Sequence, residues 1–216
     1  MPLTIPADWT FKTRDVASSF DQHVREQLPW YELATGMTAH IARHYIPEGG
    51  LVYDIGASTG NVGKSIADTL EARKATFIPI DNAESMLSQY AGPGELKIAD
   101  AAEFCYQPFD LAICFLSLMF IPTRKRRALI KRLKENTNEG GCLLIVDKTL
   151  PAKGYTATVM TRLALAGKVA NGTPAADIIA KELSLAGTQR PLDYEEIAPA
   201  VEVFRFGDFA AWILEK

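Results

Sequence analysis

The stretch Leu51-Val52-Tyr53-Asp54-Ile55-Gly56-Ala57-Ser58-Thr59-Gly60 constrains this chain more than any other. An apolar strand, Leu51 to Ile55, runs into a turn of Gly56, Ser58 and Gly60, whose missing or small side chains let a bound molecule lie on the backbone. A second apolar strand, Phe77-Ile78-Pro79-Ile80, ends in Asp81-Asn82. A carboxylate at that place is an acceptor for a ribose diol. A dinucleotide turn of the form Gly-x-Gly-x-x-Gly, counted from Gly56, requires glycine at 58 and 61. The chain has Ser58 and Asn61. A nucleoside site of another kind, or a βα turn that holds nothing, remains.

The chain has 216 residues, enough for one well-buried α/β core and few for two. We therefore expect a single domain, 1–216, with N-terminal helices over 1–48 and a helical insertion over 150–199. Hydrophobic residues make up 48% and charged residues 23%, the balance of a globular protein rather than a disordered one. The longest apolar run, residues 111–121, is broken by Ser117 and too short to span a bilayer. The first twenty residues hold no apolar secretory core, so a cytoplasmic protein without membrane attachment is expected. Cys105, Cys114 and Cys142 are odd in number and form no Cys-x-x-Cys pair; Cys114 and Cys142 read as core. His40 and His44 have helical metal-pair spacing, but no third ligand follows, so a solvated helix face and no metal are expected.

Apolar periodicity lays out an alternating order. Helices over 13–28 and 31–46 precede the strand at 51–55, and a helix with Val62, Ile66 and Leu70 on one face follows it. A strand over 75–80, a short helix around 83–90, a strand over 95–99 and a buried strand beginning at Phe109 come next. The helix over 123–136 turns Leu129, Ile130 and Leu133 inward, Gly140-Gly141 marks a turn, and 142–146 is a fifth strand. Such alternation specifies a parallel sheet with right-handed crossovers. The chain ends differently, with strands over 201–206 and 209–214 joined by Gly207-Asp208 as a hairpin.

Between the fifth strand and the hairpin, 156–170 places Val159, Met160, Leu163 and Ala166 on one helical face, closed by Gly172. Thr173-Pro174 opens a second helix as N-cap and first residue, carrying Ile178 and Ile179. These helices form a substrate lid, a dimer contact or plain packing. Their apolar faces exceed what a small sheet edge covers, so a homodimer is expected.

Asp54-x-Gly56-x-Ser58-x-Gly60 resembles the first motif of class I S-adenosylmethionine-dependent methyltransferases, with serine where glycine is usual. A parallel run closed by an antiparallel hairpin is similar to their sheet. The resemblance implies a Rossmann-like α/β fold of seven mostly parallel strands, order 3-2-1-4-5-7-6, with helices on both faces. S-adenosyl-L-methionine or its carboxylated derivative is then the cofactor, and the chain is a transferase acting on a small molecule or an RNA. A binding protein that performs no transfer is the alternative outside enzymes, since no catalytic base is recognisable. For cofactor contacts, Asp54, Gly56, Ala57, Ser58 and Gly60 form the turn, Asp81 meets the ribose, Asn82 the adenosine side, and Asp100 the adenine amino group. Met86 is included with these. Asp100 also reads as a helix N-cap.

Absences narrow the acceptor. Phe115-Leu116-Ser117-Leu118-Met119-Phe120 lacks the Asp/Asn-Pro-Pro-aromatic motif of base N-methyltransferases, and no cysteine follows a proline as in cytosine C5 enzymes. Net charge of −3 gives no bulk attraction to nucleic acid. Helix 123–136 is the exception, with Arg124, Lys125, Arg126, Arg127, Lys131, Arg132 and Lys134 as either a phosphate-binding run or a solvated face.

Asp8-Trp9-Thr10-Phe11, Asp147-Lys148, Ala170-Asn171-Gly172 and Phe206-Gly207 resemble segments of the carboxy-S-adenosylmethionine synthases, which in bacteria make the donor for carboxymethylating a wobble uridine of transfer RNA. The resemblance implies cofactor contacts from Tyr31, Gly56-Ala57-Ser58, Asp81-Asn82 and Asp100-Ala101. Two positions depart from the pattern. An asparagine becomes Phe115, and the arginine expected to hold the added carboxylate falls at Glu182, beside Lys181. A carboxylate facing a carboxylate repels it, so the plain donor is the preferred expectation.

Overall fold

The computed structural model describes residues 5–7, 9–11, 14–150 and 153–216, without the side chains of residues 14–19. Asp8, quoted above, lies outside the described residues. The element order is α1 (Arg14–Gln27), α2 (Tyr31–Tyr45), β1 (Leu51–Ile55), α3 (Asn61–Ala72), β2 (Thr76–Asp81), β3 (Lys97–Ile98), β4 (Phe109–Phe115), α4 (Thr123–Asn136), β5 (Thr137–Lys148), α5 (Tyr155–Ala170), α6 (Ala175–Ser184), α7 (Tyr194–Ile197), β6 (Val201–Phe206) and β7 (Phe209–Glu215).

The strands form one sheet in the order β3-β2-β1-β4-β5-β7-β6. Pairing is parallel from β3 through β5, while β7 runs antiparallel to β5 and to β6. The expected order and the antiparallel closure are both present. β4 and the later part of β5 are buried almost throughout because helices cover both sheet faces, which is why their sequences are near-continuous apolar runs. Val62, Ile66 and Leu70 of α3 and Leu129, Ile130 and Leu133 of α4 supply the helical side of that core, joined by buried Cys114 and Cys142. No described helix is long and apolar enough to cross a membrane.

Several local expectations give way to stronger interactions. The helix expected around 83–90 is a single 3-10 turn, Glu84–Met86, and the strand at 95–99 keeps only its Lys97–Ile98 pairing to β2. Gly140-Gly141 lies inside β5 rather than before it, because the ladder to β4 resumes at Leu111 and Cys142 after an irregularity that the two glycines absorb. Thr173 does not cap α6. Its hydroxyl donates to the Glu26 carbonyl at 2.9 Å, tying α6 to the end of α1, and Pro174 takes the cap position.

The basic run on α4 is largely structural. Arg126 is 1% exposed and donates through Nε to Glu196 at 3.0 Å and through Nη1 to the Arg190 carbonyl at 2.8 Å. Lys125 pairs with Asp100 and Glu103, Arg132 donates to the Ala102 carbonyl, and Lys134 to that of Ala198. The phosphate-binding alternative loses most of its free cations.

Candidate functional site

The carboxyl ends of β1, β2 and β4 open into a cleft of about 910 Å³. This is where an open parallel sheet places its ligands. Gly56, at φ +80°, turns the chain out of β1, and its N–H and that of Ala57 donate to the Ile80 carbonyl at 2.8 and 2.9 Å. A Cβ at Gly56 would stand 2.5 Å from Ser117 Cβ, so glycine here admits the segment after β4. Gly60, at φ +88°, serves a similar purpose. Its Cβ would meet the Gly92 nitrogen at 2.5 Å, and it does not line the cleft. Gly56 lines the cleft as well as making room for the segment after β4, whereas Gly60 makes room for the backbone at Gly92.

Ser58 adopts φ +51°, the left-handed conformation that explains why glycine is usual at this place. Its N–H donates to Asp81 Oδ2 at 2.9 Å, and the Ala83 N–H donates to Oδ1 at 2.9 Å. Each carboxylate oxygen keeps a lone pair for a diol. Burial raises the pKa of Asp81 against the backbone N–H groups of Ala83, Ser58 and Asn82.

Tyr31, Gly56, Ala57, Ser58, Asp81, Asn82, Met86, Asp100, Ala101 and Phe115 all line the cleft. Asp54 does not. It is 1% exposed behind the turn, its Oδ2 has no partner among the described residues, and burial followed by the nearby Asp81 charge pushes its pKa up to about 8. Asp100 is followed by a turn rather than by the helix its N-cap reading expected. It faces the cleft, yet Oδ1 accepts from the Ala102 N–H at 2.9 Å and Oδ2 from Lys125 at 3.1 Å. Burial acts to raise its pKa, and these partners outweigh that and lower it.

The sequence reading missed the residues that roof the cleft. Phe11 and Phe20 from the N-terminal region and Phe120 from the segment after β4 meet edge to face around Phe11, at 5.8 and 4.9 Å. Asn61, which spoils dinucleotide spacing, donates to Asp21 at 2.9 Å and to the Tyr31 hydroxyl at 3.2 Å, while Thr59 also bonds Asp21. α1 is thereby fastened to the glycine turn. Ser117 lines the cleft with a buried hydroxyl, and its interruption of an apolar run was the visible signal. Leu116 beside it sits at φ +55°, costly for a branched aliphatic side chain.

The segments that carried the closer resemblance frame this region. Asp147 is fully buried and accepts from the N–H groups of Lys148 at 2.8 Å and Met119 at 3.2 Å, holding the 3-10 turn Leu118–Phe120 under the roof. Asn171 donates to the carbonyls of Arg25 and Glu26 at 2.8 and 2.9 Å, joining α5 to α1. Glu182 is neutralised by Lys168 at 2.8 Å and Lys148 at 3.7 Å. Lys148 also lies 3.5 Å from Asp208, so Glu182 stands in a cluster of two lysines and two carboxylates rather than as an isolated charge.

The plantazolicin methyltransferase BpumL, solved with S-adenosylhomocysteine, matches 94% of this chain and 90% of its own at TM-score 0.62 and 12% identity. A methyltransferase from Clostridium acetobutylicum matches 92% and 98% at TM-score 0.55 and 12% identity. With the strand order, this decides the architecture. The protein has the class I S-adenosylmethionine-dependent methyltransferase fold. No protein-family model matches this methyltransferase-fold chain. Among curated proteins it is similar to the carboxy-S-adenosyl-L-methionine synthases of Staphylococcus epidermidis, at 29% identity over 96% of this chain and 92% of the relative, and of Wolinella succinogenes, at 28% over 93% and 91%. That of Shewanella pealeana is 27% identical over 98% and 90%. The likeness is end to end, so the N-terminal segment and the α5–α6 region belong to it along with the glycine turn.

Proposed function

We propose that this protein is a cytoplasmic S-adenosylmethionine-dependent methyltransferase acting on a small molecule. The observation that carries the reading is the Asp81 carboxylate, held by the Ser58 and Ala83 N–H groups at the carboxyl end of β2 in a class I methyltransferase fold. The residues present fit the cofactor. Asp81 accepts from the ribose, Asp100 and Ala101 lie toward the base, and Ser117 brings a buried hydroxyl to the same cleft. A sulfonium cofactor supplies an already activated methyl group, so the chain's part is to orient donor and acceptor and exclude water. Phe11, Phe20, Phe115 and Phe120 do the excluding. A small acceptor suits a basic helix in which Arg126, Arg132 and Lys125 are held by partners within the chain.

A second reading, a carboxy-S-adenosylmethionine synthase serving transfer-RNA modification, is favoured by the full-length relatives and by the lysines around Glu182. Mass spectrometry of small molecules released from the purified protein separates the two. Plain S-adenosylmethionine or S-adenosylhomocysteine is expected; the carboxylated cofactor would overturn the first reading and establish the second.

We further propose a homodimer formed through α5 and α6, whose Val159, Leu163, Val169, Ile179 and Leu183 are exposed. Apolar exposure of this extent on adjacent helices is uncommon in monomers. Light scattering is expected to give a dimer that Val159→Glu with Leu163→Glu dissociates, and a monomeric parent would reject it.

A further inference from the structure

Within the cleft, Tyr31 stands apart from the residues assigned to the ribose and the base. Asp81 ends β2 and Asp100 follows β3, whereas Tyr31 packs edge to face on Phe115 of β4 at 5.5 Å. The sheet order β3-β2-β1-β4 therefore sets them on opposite sides of β1. A nucleoside laid with its ribose on Asp81 and its base toward β3 carries its remaining substituent across the glycine turn to Tyr31. In S-adenosylmethionine that substituent is an amino acid and ends in a carboxylate.

The polarity of the Tyr31 hydroxyl is settled by other side chains. Asp21 accepts at Oδ1 from the Thr59 hydroxyl and from Asn61 Nδ2, the latter at 2.9 Å. An ionised carboxylate only accepts, so it decides which way the Asn61 amide is turned. The same Nδ2 donates to the Tyr31 hydroxyl oxygen at 3.2 Å. A phenol that accepts from its neighbour keeps its own proton to give elsewhere, and no hydrogen-bond acceptor for that proton is found among the described residues. Tyr31 is 5% exposed and lines the cleft, so the proton is left for an occupant. Burial, against the bond from Asn61, pushes the Tyr31 pKa up to about 12, which keeps the phenol a donor at neutral pH.

Formal charge alone does not select an anion here. Arg25 lies over the Tyr31 ring but is paired with Glu32, and Asp21 is negative. Asp21 does not line the cleft, and the Asn61 amide bridges it to Tyr31. The selection comes from contact, through a donor set where the end of the ligand arrives. We propose that Asp21 and Asn61 are positioning residues for the cofactor, turning the Tyr31 hydroxyl so that it donates to the carboxylate at the methionine end of S-adenosylmethionine. Naming that carboxylate rests on the methyltransferase reading; the polarity of the hydroxyl does not. Asp21 also holds α1 on the glycine turn, so a loss of affinity alone would not separate its two roles, whereas a loss of selectivity for the carboxylate does.

Isothermal titration of the full chain compares S-adenosylhomocysteine with its decarboxylated analogue, which keeps the amine and lacks the carboxylate. The parent is expected to prefer S-adenosylhomocysteine by at least about tenfold, the worth of one hydrogen bond to a charged group. Asn61→Ala and Asp21→Ala are each expected to reduce that preference to within about threefold while still binding the decarboxylated analogue, which shows that they are folded. Asp21→Asn, whose amide oxygen still accepts from Asn61, is expected to keep the preference. Tyr31→Phe is expected to lose it, and adding Asn61→Ala to Tyr31→Phe to change it no further, since Asn61 acts through the hydroxyl. Where Asn61→Ala binds neither nucleoside, Asp21→Ala against Asp21→Asn decides. Equal affinities in the parent, a preference that Asn61→Ala leaves intact, or a further loss in the double variant overturns the proposal and leaves the cofactor reading standing. A parent that binds neither nucleoside overturns both.

Discussion

The backbone N–H of Ser58 donates to Asp81 Oδ2 at 2.9 Å, so the acid that ends β2 also fixes the turn that leaves β1. The bond joins the two segments that were most legible in the sequence. It also holds Ser58 at φ +51°. Ser58→Gly is expected to change stability by less than about 1 kcal/mol, since relief of strain offsets the added chain entropy. Ser58→Val places a β-branched residue in the left-handed region and is expected to cost about 2 kcal/mol. Chemical denaturation of both variants checks the pair, and a valine variant as stable as the parent would contradict the geometry.

Asp54 gives a pH dependence with a defined sign. Its pKa rises from 3.8 to about 8 in the folded protein, with burial the larger cause and Asp81 the second. A raised carboxyl pKa means that the folded state holds a proton the unfolded state has released, so this contribution is full below about pH 4 and is lost as pH rises toward about 8. Asp54→Asn removes the loss. Thermal unfolding at about pH 5 and about pH 8 is expected to show a smaller fall for the variant than for the parent. Identical falls would mean that Asp54 ionises freely. Asp147, pushed up to about 7 chiefly by burial, remains in both proteins and does not alter the comparison.

Arg126 and Glu196 form a buried ion pair, 1% and 3% exposed at their side chains. Glu196 also closes a capping box with Asp193 at the start of α7, so the pair clamps α4 to the chain that leads into the hairpin. Arg126→Ala leaves Glu196 charged and buried and is expected to cost about 3–5 kcal/mol in denaturant unfolding. Arg127 is 70% exposed at its side chain, and Arg127→Ala is expected to stay within about 0.5 kcal/mol.

The contrast between those two arginines shows what sequence reading reaches. Strand order, the helix Thr123–Asn136 and the hairpin were legible because periodicity and turn residues report local geometry and burial directly. Which cation of a basic run turns inward was not legible, since Glu196 is seventy positions from Arg126 in sequence. The same holds at the site. Asp81 and Ser58 announce themselves by position after a strand, whereas Phe11 and Phe20 reach the cleft only through tertiary packing. Glu182 read alone opposes an anion, and its pairing with Lys168 and Lys148 comes only from tertiary packing.

The central claim is that the cleft at β1, β2 and β4 holds S-adenosylmethionine through Asp81. Isothermal titration with S-adenosylhomocysteine and, in parallel, with a nicotinamide dinucleotide tests it most directly. The account predicts saturable S-adenosylhomocysteine binding, weakened by about 1.5–3 kcal/mol in Asp81→Ala as the charge-assisted bond to the ribose is lost. Binding of the dinucleotide with none of S-adenosylhomocysteine at millimolar concentration, or an affinity that Asp81→Ala leaves unchanged, would contradict it.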